Sequence, residues 1–124
     1  MFSKKFMVLV LMLVAVAALA VACGGGSSSS GSSTVDVTIT GTDFKFDPAT
    51  INAKAGQTVN VTFVNKGQSA HTFVVKDANV NIRADVGQTT KVTFTAPAKA
   101  GTYPITCDVP GHADQGMTGS LVVQ

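Results

Sequence analysis

Thr58-Val-Asn-Val-Thr-Phe-Val-Asn65 alternates apolar Val59, Val61 and Phe63 with polar Asn60 and Thr62. A period of two puts one set of side chains on each face, so the segment reads as a half-buried strand. The rhythm recurs on both sides. Val35, Val37 and Ile39 alternate upstream, a short run covers 49–53, and further strands are expected at 72–76, 89–95, 102–107 and 118–123. Turn-forming residues separate them, at Gly56, Lys66-Gly67, Asp77-Ala-Asn79, Gly87 and 97–101. Valine and threonine supply 28 of the 91 residues in 34–124, and leucine occurs there once, at Leu121. β-Branched side chains favour strands and disfavour helices. The expected class is all-β: an antiparallel Greek-key β-sandwich or barrel of about seven to eight strands, with no helix longer than one turn.

A second stretch carries the chemistry. Cys107-Asp-Val-Pro-Gly-His-Ala-Asp-Gln-Gly-Met117 places a thiolate, an imidazole and a thioether with four residues between each pair. A strand ending at Cys107 aims its sulfur at a point that the following chain must turn back to reach. Pro110 and Gly111 suit that turn, because proline presets φ and glycine accepts positive φ. The other histidine of the chain is His71. Two imidazoles, a thiolate and a weak axial thioether make up the donor set of a mononuclear blue-copper site. Asp108 and Asp114 lie in the same loop, but hard carboxylates suit a copper–thiolate centre poorly. The alternatives for single residues are ordinary: Cys107 as a small buried apolar side chain, Met117 as core packing, His112 as a surface histidine.

The segment resembles the ligand loop of the cupredoxins, the plastocyanin and azurin family of small blue-copper proteins, and its Cys-x4-His-x4-Met spacing is most similar to that of the auracyanins. Two further segments carry the likeness, Phe44-Lys-Phe-Asp-Pro-Ala-Thr-Ile-Asn-Ala-Lys-Ala-Gly56 and Val64-Asn-Lys-Gly-Gln-Ser-Ala-His71-Thr-Phe. The resemblance covers residues 35–124. It implies a cupredoxin-like fold, one copper ion per chain and the ligands His71, Cys107, His112 and Met117. It also implies that electrons leave through the His112 ring edge, framed by Val109, Pro110 and Ala113 as a docking patch for redox partner proteins. One departure is visible: many relatives carry Asn directly after the first histidine, and Thr72 stands there.

The N-terminus belongs to export. Lys4 and Lys5 precede an uninterrupted apolar run of 17 residues, 6–22, which ends in Ala20-Val21-Ala22. Residues 1–22 read as a signal peptide. Cys23 follows directly, as in a bacterial lipoprotein signal, and is the expected lipid-attachment residue. Ordinary cleavage after Ala22 and retention as an uncleaved anchor stay open. Residues 24–33 are glycine and serine alone. They form a flexible tether with an r.m.s. reach of roughly 17 Å. The expected location is the outer face of a bacterial cytoplasmic membrane, or the periplasmic or extracellular side.

Charge and cysteine count exclude other classes. Residues 34–124 hold seven Lys/Arg and seven Asp with no Glu. A net charge of zero argues against nucleic-acid binding, which rests on basic surfaces. A single cysteine in this region cannot form a disulfide within it, and a free thiol in an exported protein needs another purpose, which metal ligation supplies. Two histidines in the whole chain leave none for a second copper centre, so an electron carrier without substrate turnover is expected. The competing reading is an extracytoplasmic protein that stores or delivers copper. The domain is expected to act as a monomer.

Overall fold

The structure, a computed structural model, describes residues 33–124. The signal peptide, Cys23 and the tether up to Ser32 lie outside the described residues. Nine strands follow in chain order: β1 Val35–Thr42, β2 Lys45–Asp47, β3 Thr50–Ala53, β4 Thr58–Asn65, β5 His71–Val75, β6 Val80–Ala84, β7 Thr89–Thr95, β8 Gly101–Thr106 and β9 Thr118–Val123. They form two sheets, ordered β2-β1-β4-β7 and β3-β9-β8-β5-β6, packed as a sandwich. Among the described residues the helical pieces are two single 3-10 turns, Lys76–Ala78 and Ala113–Gln115.

β4 fills the middle of the first sheet, between β1 and β7. Its inward residues Val59, Val61 and Phe63 are at most 1% exposed, as the alternation requires. Across the gap Phe73 of β5 meets Phe63, and Phe46 of β2, in the same sheet as β4, packs against both, with ring centroids 5.9 to 6.0 Å apart. Such tilted and edge-to-face pairs each add about 0.5–1.5 kcal/mol beyond area burial. Ile39, Ile51, Ile105, Leu121 and Val123 complete the core.

Two expectations need correction. The sheets are mixed rather than purely antiparallel: β1 runs parallel to β4, and β3 parallel to β9. Parallel neighbours need a crossover connection. The chain supplies one by leaving the first sheet after β2, adding β3 to the second and returning as β4. The second correction is strand count, because β2 and β6 were not anticipated. β2 is three residues long, with Pro48 directly after it, and β6 buries only Val80 and Ala84 fully, so neither shows a clear alternation.

All five residues of β5 are buried. Alternate residues Phe73 and Val75 join the core. Thr72 faces the other way and is covered by the chain leaving β8, since the antiparallel register Val74↔Thr106 brings Thr72 beside Asp108. The first residue of β5 and the end of β8 therefore lie side by side at one end of the sandwich.

Candidate metal centre

His71 opens β5, Cys107 follows the last residue of β8, and Met117 precedes β9. The loop between the last two is closed by its own backbone. Cys107 N–H donates to Met117 O at 3.2 Å and Met117 N–H to His112 O at 3.1 Å, so the three side-chain bearers are tied to one another. Gly111 and Gly116 adopt φ of 82° and 103°, values that favour glycine, and these two residues let the loop reverse.

The side chains converge. His71 Nδ1 lies 3.1 Å from His112 Nδ1, and Cys107 Sγ lies 3.5 Å from the same atom. One ligand atom from each of the three residues falls within 4.8 Å of the others. His71 and Met117 are 0% exposed, Cys107 1% and His112 8%. Met117 packs with its Cε towards Gly41, where an added Cβ would meet that atom at 3.4 Å and Phe63 Cε2 at 2.9 Å. Val109 and Ala113 are half-buried and Pro110 is exposed beside His112. Phe44 stands edge-on to the His112 ring, centroids 4.8 Å apart.

Buried imidazoles facing one another through Nδ1 repel unless a proton or a cation stands between them. Two nitrogens each about 2.0–2.1 Å from one ion would sit about 3.1 Å apart at an angle near 100°. The donor set of two nitrogens and a thiolate sulfur, with a thioether in the same buried loop, fits a single copper ion.

Behind these side chains stand polar groups that the sequence did not announce. Asp43 Oδ1 lies 2.8 Å from His71 Nε2, although the ring N–H is not well aligned on it. Gln68 N–H donates to Asp43 Oδ2 at 2.6 Å. That backbone bond holds the Asp43 carboxyl below the usual carboxylate range, and the His71 contact adds to the effect. Burial pushes His71 below the usual imidazole range, opposed by Asp43 and reinforced by His112. A carboxylate at Nε2 also fixes the tautomer that leaves Nδ1 free to bind a metal.

Asn65 holds the segment before His71. Its Nδ2 donates to Ser69 O at 2.7 Å and to Ala84 O at 2.9 Å, and its Oδ1 accepts from Gly67 N–H at 2.8 Å. The signal was present in β4, because Asn65 continues the inward series Val59, Val61, Phe63 at 1% exposure. Gly41 ends the inward series of β1 in the same way, where a close neighbour needs room.

Thr72, directly after His71, reaches the sulfur. Its N–H donates to Cys107 Sγ at 3.4 Å, and its hydroxyl lies 3.6 Å from that atom.

A family model of the cupredoxin-like domain matches residues 9–123. The chain belongs to the cupredoxin-like family. Its relatives include the copper-resistant cuproprotein CopI of Rubrivivax gelatinosus, 29% identical over 100 residues that span 64% of this chain and 60% of CopI. Auracyanin-A of Chloroflexus aurantiacus is 34% identical over 114 residues, covering 67% of this chain and 69% of the relative. The chain thus spans about three fifths of CopI and about two thirds of auracyanin-A. The solved structure of auracyanin A, described as a "blue" copper protein of a green thermophilic photosynthetic bacterium, superposes with a TM-score of 0.63 at 32% identity. It covers 74% of this chain and all of that one. The two-sheet sandwich described above is the cupredoxin fold.

Proposed function

We propose that this cupredoxin domain holds one copper ion through His71, Cys107, His112 and Met117 and carries single electrons between redox proteins outside the cytoplasmic membrane. The observation that carries the reading is the buried convergence of His71 Nδ1, His112 Nδ1 and Cys107 Sγ. Copper, when bound, supplies a one-electron couple between Cu(II) and Cu(I). The chain's part is to hold the donors still. The loop is closed on itself by the Cys107–Met117 and Met117–His112 backbone bonds, His71 is backed by Asp43, and the core lies directly beneath. Donors fixed in this way change position little when the charge changes, which keeps reorganisation small.

His112 is the ring nearest to solvent, at 8% exposure against 0% for His71. That difference supports its ring edge, with Val109, Pro110 and Ala113 around it, as the exit towards a partner. A small apolar patch suits the brief, weak docking of redox encounters. Export by the 1–22 signal, lipid attachment at Cys23 and the Gly/Ser tether would place the domain on the outer face of the membrane. The intact mass of the exported protein tests the attachment, since a lipid adds to the mass of a chain beginning at Cys23.

Likeness to CopI, named as a copper-resistant cuproprotein, favours a second reading in which the domain stores or delivers copper. One experiment separates the two. The purified protein is given one equivalent of Cu(II), reduced with ascorbate and reoxidised while its visible spectrum is followed. An intense thiolate-to-copper band that bleaches and returns supports the carrier; copper lost on reduction supports delivery, and a colourless protein removes the carrier reading and leaves copper handling or a structural cysteine.

A further inference from the structure

Asp108 follows Cys107, and its carboxylate is held on two sides. Asn81 Nδ2 of β6 donates to Oδ2 at 3.2 Å, and the Thr72 hydroxyl of β5 lies 2.6 Å from Oδ1. Asp108 N–H in turn donates to Thr72 Oγ1 at 2.8 Å. The hydroxyl therefore has one proton and two acceptors within reach, Asp108 Oδ1 at 2.6 Å and Cys107 Sγ at 3.6 Å. A short bond to an ionised oxygen is the strong kind, while a contact to sulfur a full ångström longer is weak. The proton goes to Asp108. Cys107 Sγ then keeps one Thr72 donor, the backbone N–H at 3.4 Å.

Building on the copper site proposed above, we propose that Asp108 is a positioning residue that withholds the Thr72 hydroxyl from the Cys107 sulfur and so holds the reduction potential of the site down. The sulfur carries more negative charge when copper is reduced, so each hydrogen bond it accepts favours the reduced form. A hydroxyl diverted to Asp108 gives no such help. The arrangement is set by the pairing of β5 with β8 and steadied by Asn81 from β6, which fixes the far oxygen of the carboxylate.

The test is a set of four variants of the copper-loaded protein, read by potential and by the energy of the thiolate-to-copper band. Asp108→Ala removes the competing acceptor. The potential is expected to rise by an amount equal to about a tenfold greater preference for Cu(I), ~59 mV for one electron, and the band to move to higher energy. Asp108→Asn keeps an acceptor oxygen without the charge, and should show much less of either change. Asp108→Ala made on Thr72→Val, compared with Thr72→Val alone, should lose both changes because no hydroxyl is left to turn. Equal rises in Asp108→Ala and Asp108→Asn, or a rise that persists on Thr72→Val, would assign the effect to the charge of Asp108 and overturn the inference. An Asp108→Ala protein with unchanged potential and band would overturn it too. If the parent protein shows no blue band at all, it is the copper reading that fails.

Discussion

Asn65→Ala is the sharpest probe of how the site end is built. The substitution deletes the partners of Gly67 N–H, Ser69 O and Ala84 O, which now bond the Asn65 side chain at 2.8, 2.7 and 2.9 Å. Gly67 and Ala84 are buried, whereas Ser69 is half-buried and recovers part of its loss from water. A buried polar group left unpaired costs about 1–3 kcal/mol. With two such groups and partial relief at the third, the expected loss is about 2–4 kcal/mol. A domain of this size has roughly 5–14 kcal/mol in all, at about 0.05–0.15 kcal/mol per residue. The assay is urea unfolding of the purified metal-free protein at neutral pH. With a slope of about 1–1.5 kcal/mol per molar, the midpoint should fall by roughly 1.3–4 M. Hydrogen exchange should locate the damage, with the Gly67 amide losing its protection. Asn65→Asp sharpens the test, because it keeps the acceptor for Gly67 but turns a negative oxygen on Ser69 O and Ala84 O, and should be no better than alanine. A loss below about 1 kcal/mol with Gly67 still protected would refute the reasoning.

Met117→Leu nearly conserves volume and should cost under about 1.5 kcal/mol; copper should stay bound and the potential should rise, and a fall would sink the axial assignment. Gly67→Ala should weaken copper binding about 10–100-fold, measured by competition with a chelator, because the new Cβ would sit 2.6 Å from both Asp43 Oδ1 and His71 Nε2 and force them apart; unchanged affinity would show that their contact is unimportant. In the metal-free protein, burial lowers the His71 pKa below 6.5, so between the folded and unfolded values the unfolded chain binds more protons. His71 therefore contributes stability above about pH 6.5 that is lost as pH falls through the lower folded value, whereas lowered Asp43 acts only below 3.8. Urea midpoints should fall from pH 7.5 to 5 and fall less in His71→Gln; a flat profile would contradict the burial argument.

What was legible in the sequence was local. Val59, Val61 and Phe63 announce their strand through neighbours two residues apart, and Cys107, His112 and Met117 announce a site because one short loop carries all three. His71 was legible as the one remaining imidazole and through the resemblance of the segment around it, not from any local spacing to the other three. The groups behind the ligands were not, because each acts across the fold: Asp43 on His71, 28 positions on, and Thr72 on Asp108, 36 positions on. No periodicity links such pairs. The parallel β1–β4 and β3–β9 pairings escaped for the same reason, since alternation tells which face a strand buries and not which way its neighbour runs. Asn65 and Gly41 are intermediate cases, where a polar residue and a glycine interrupt an inward apolar series and so mark a place where something other than packing decides the residue.

These interruptions share a physical logic. The inward positions of β4 and β1 are filled by Val59, Val61, Phe63 and by Val35, Val37, Ile39 until the strands approach the site, and there the next inward residue is Asn65 or Gly41. Asn65 spends its side chain on backbone groups of the segment that delivers His71; Gly41 removes its own so that Phe63 and Met117 fit. The same end carries Thr72, whose outward position on β5 is covered and hydrogen-bonded where a surface threonine would meet water. The first sheet thus gives up apolar packing at the end of both inward series, for polar contacts behind His71 at Asn65 and for room beside Met117 at Gly41. The second sheet adds the covered Thr72 beside Cys107. Loops tied in this way hold the donors through groups of the chain itself, so that either oxidation state of a bound copper would meet the same arrangement.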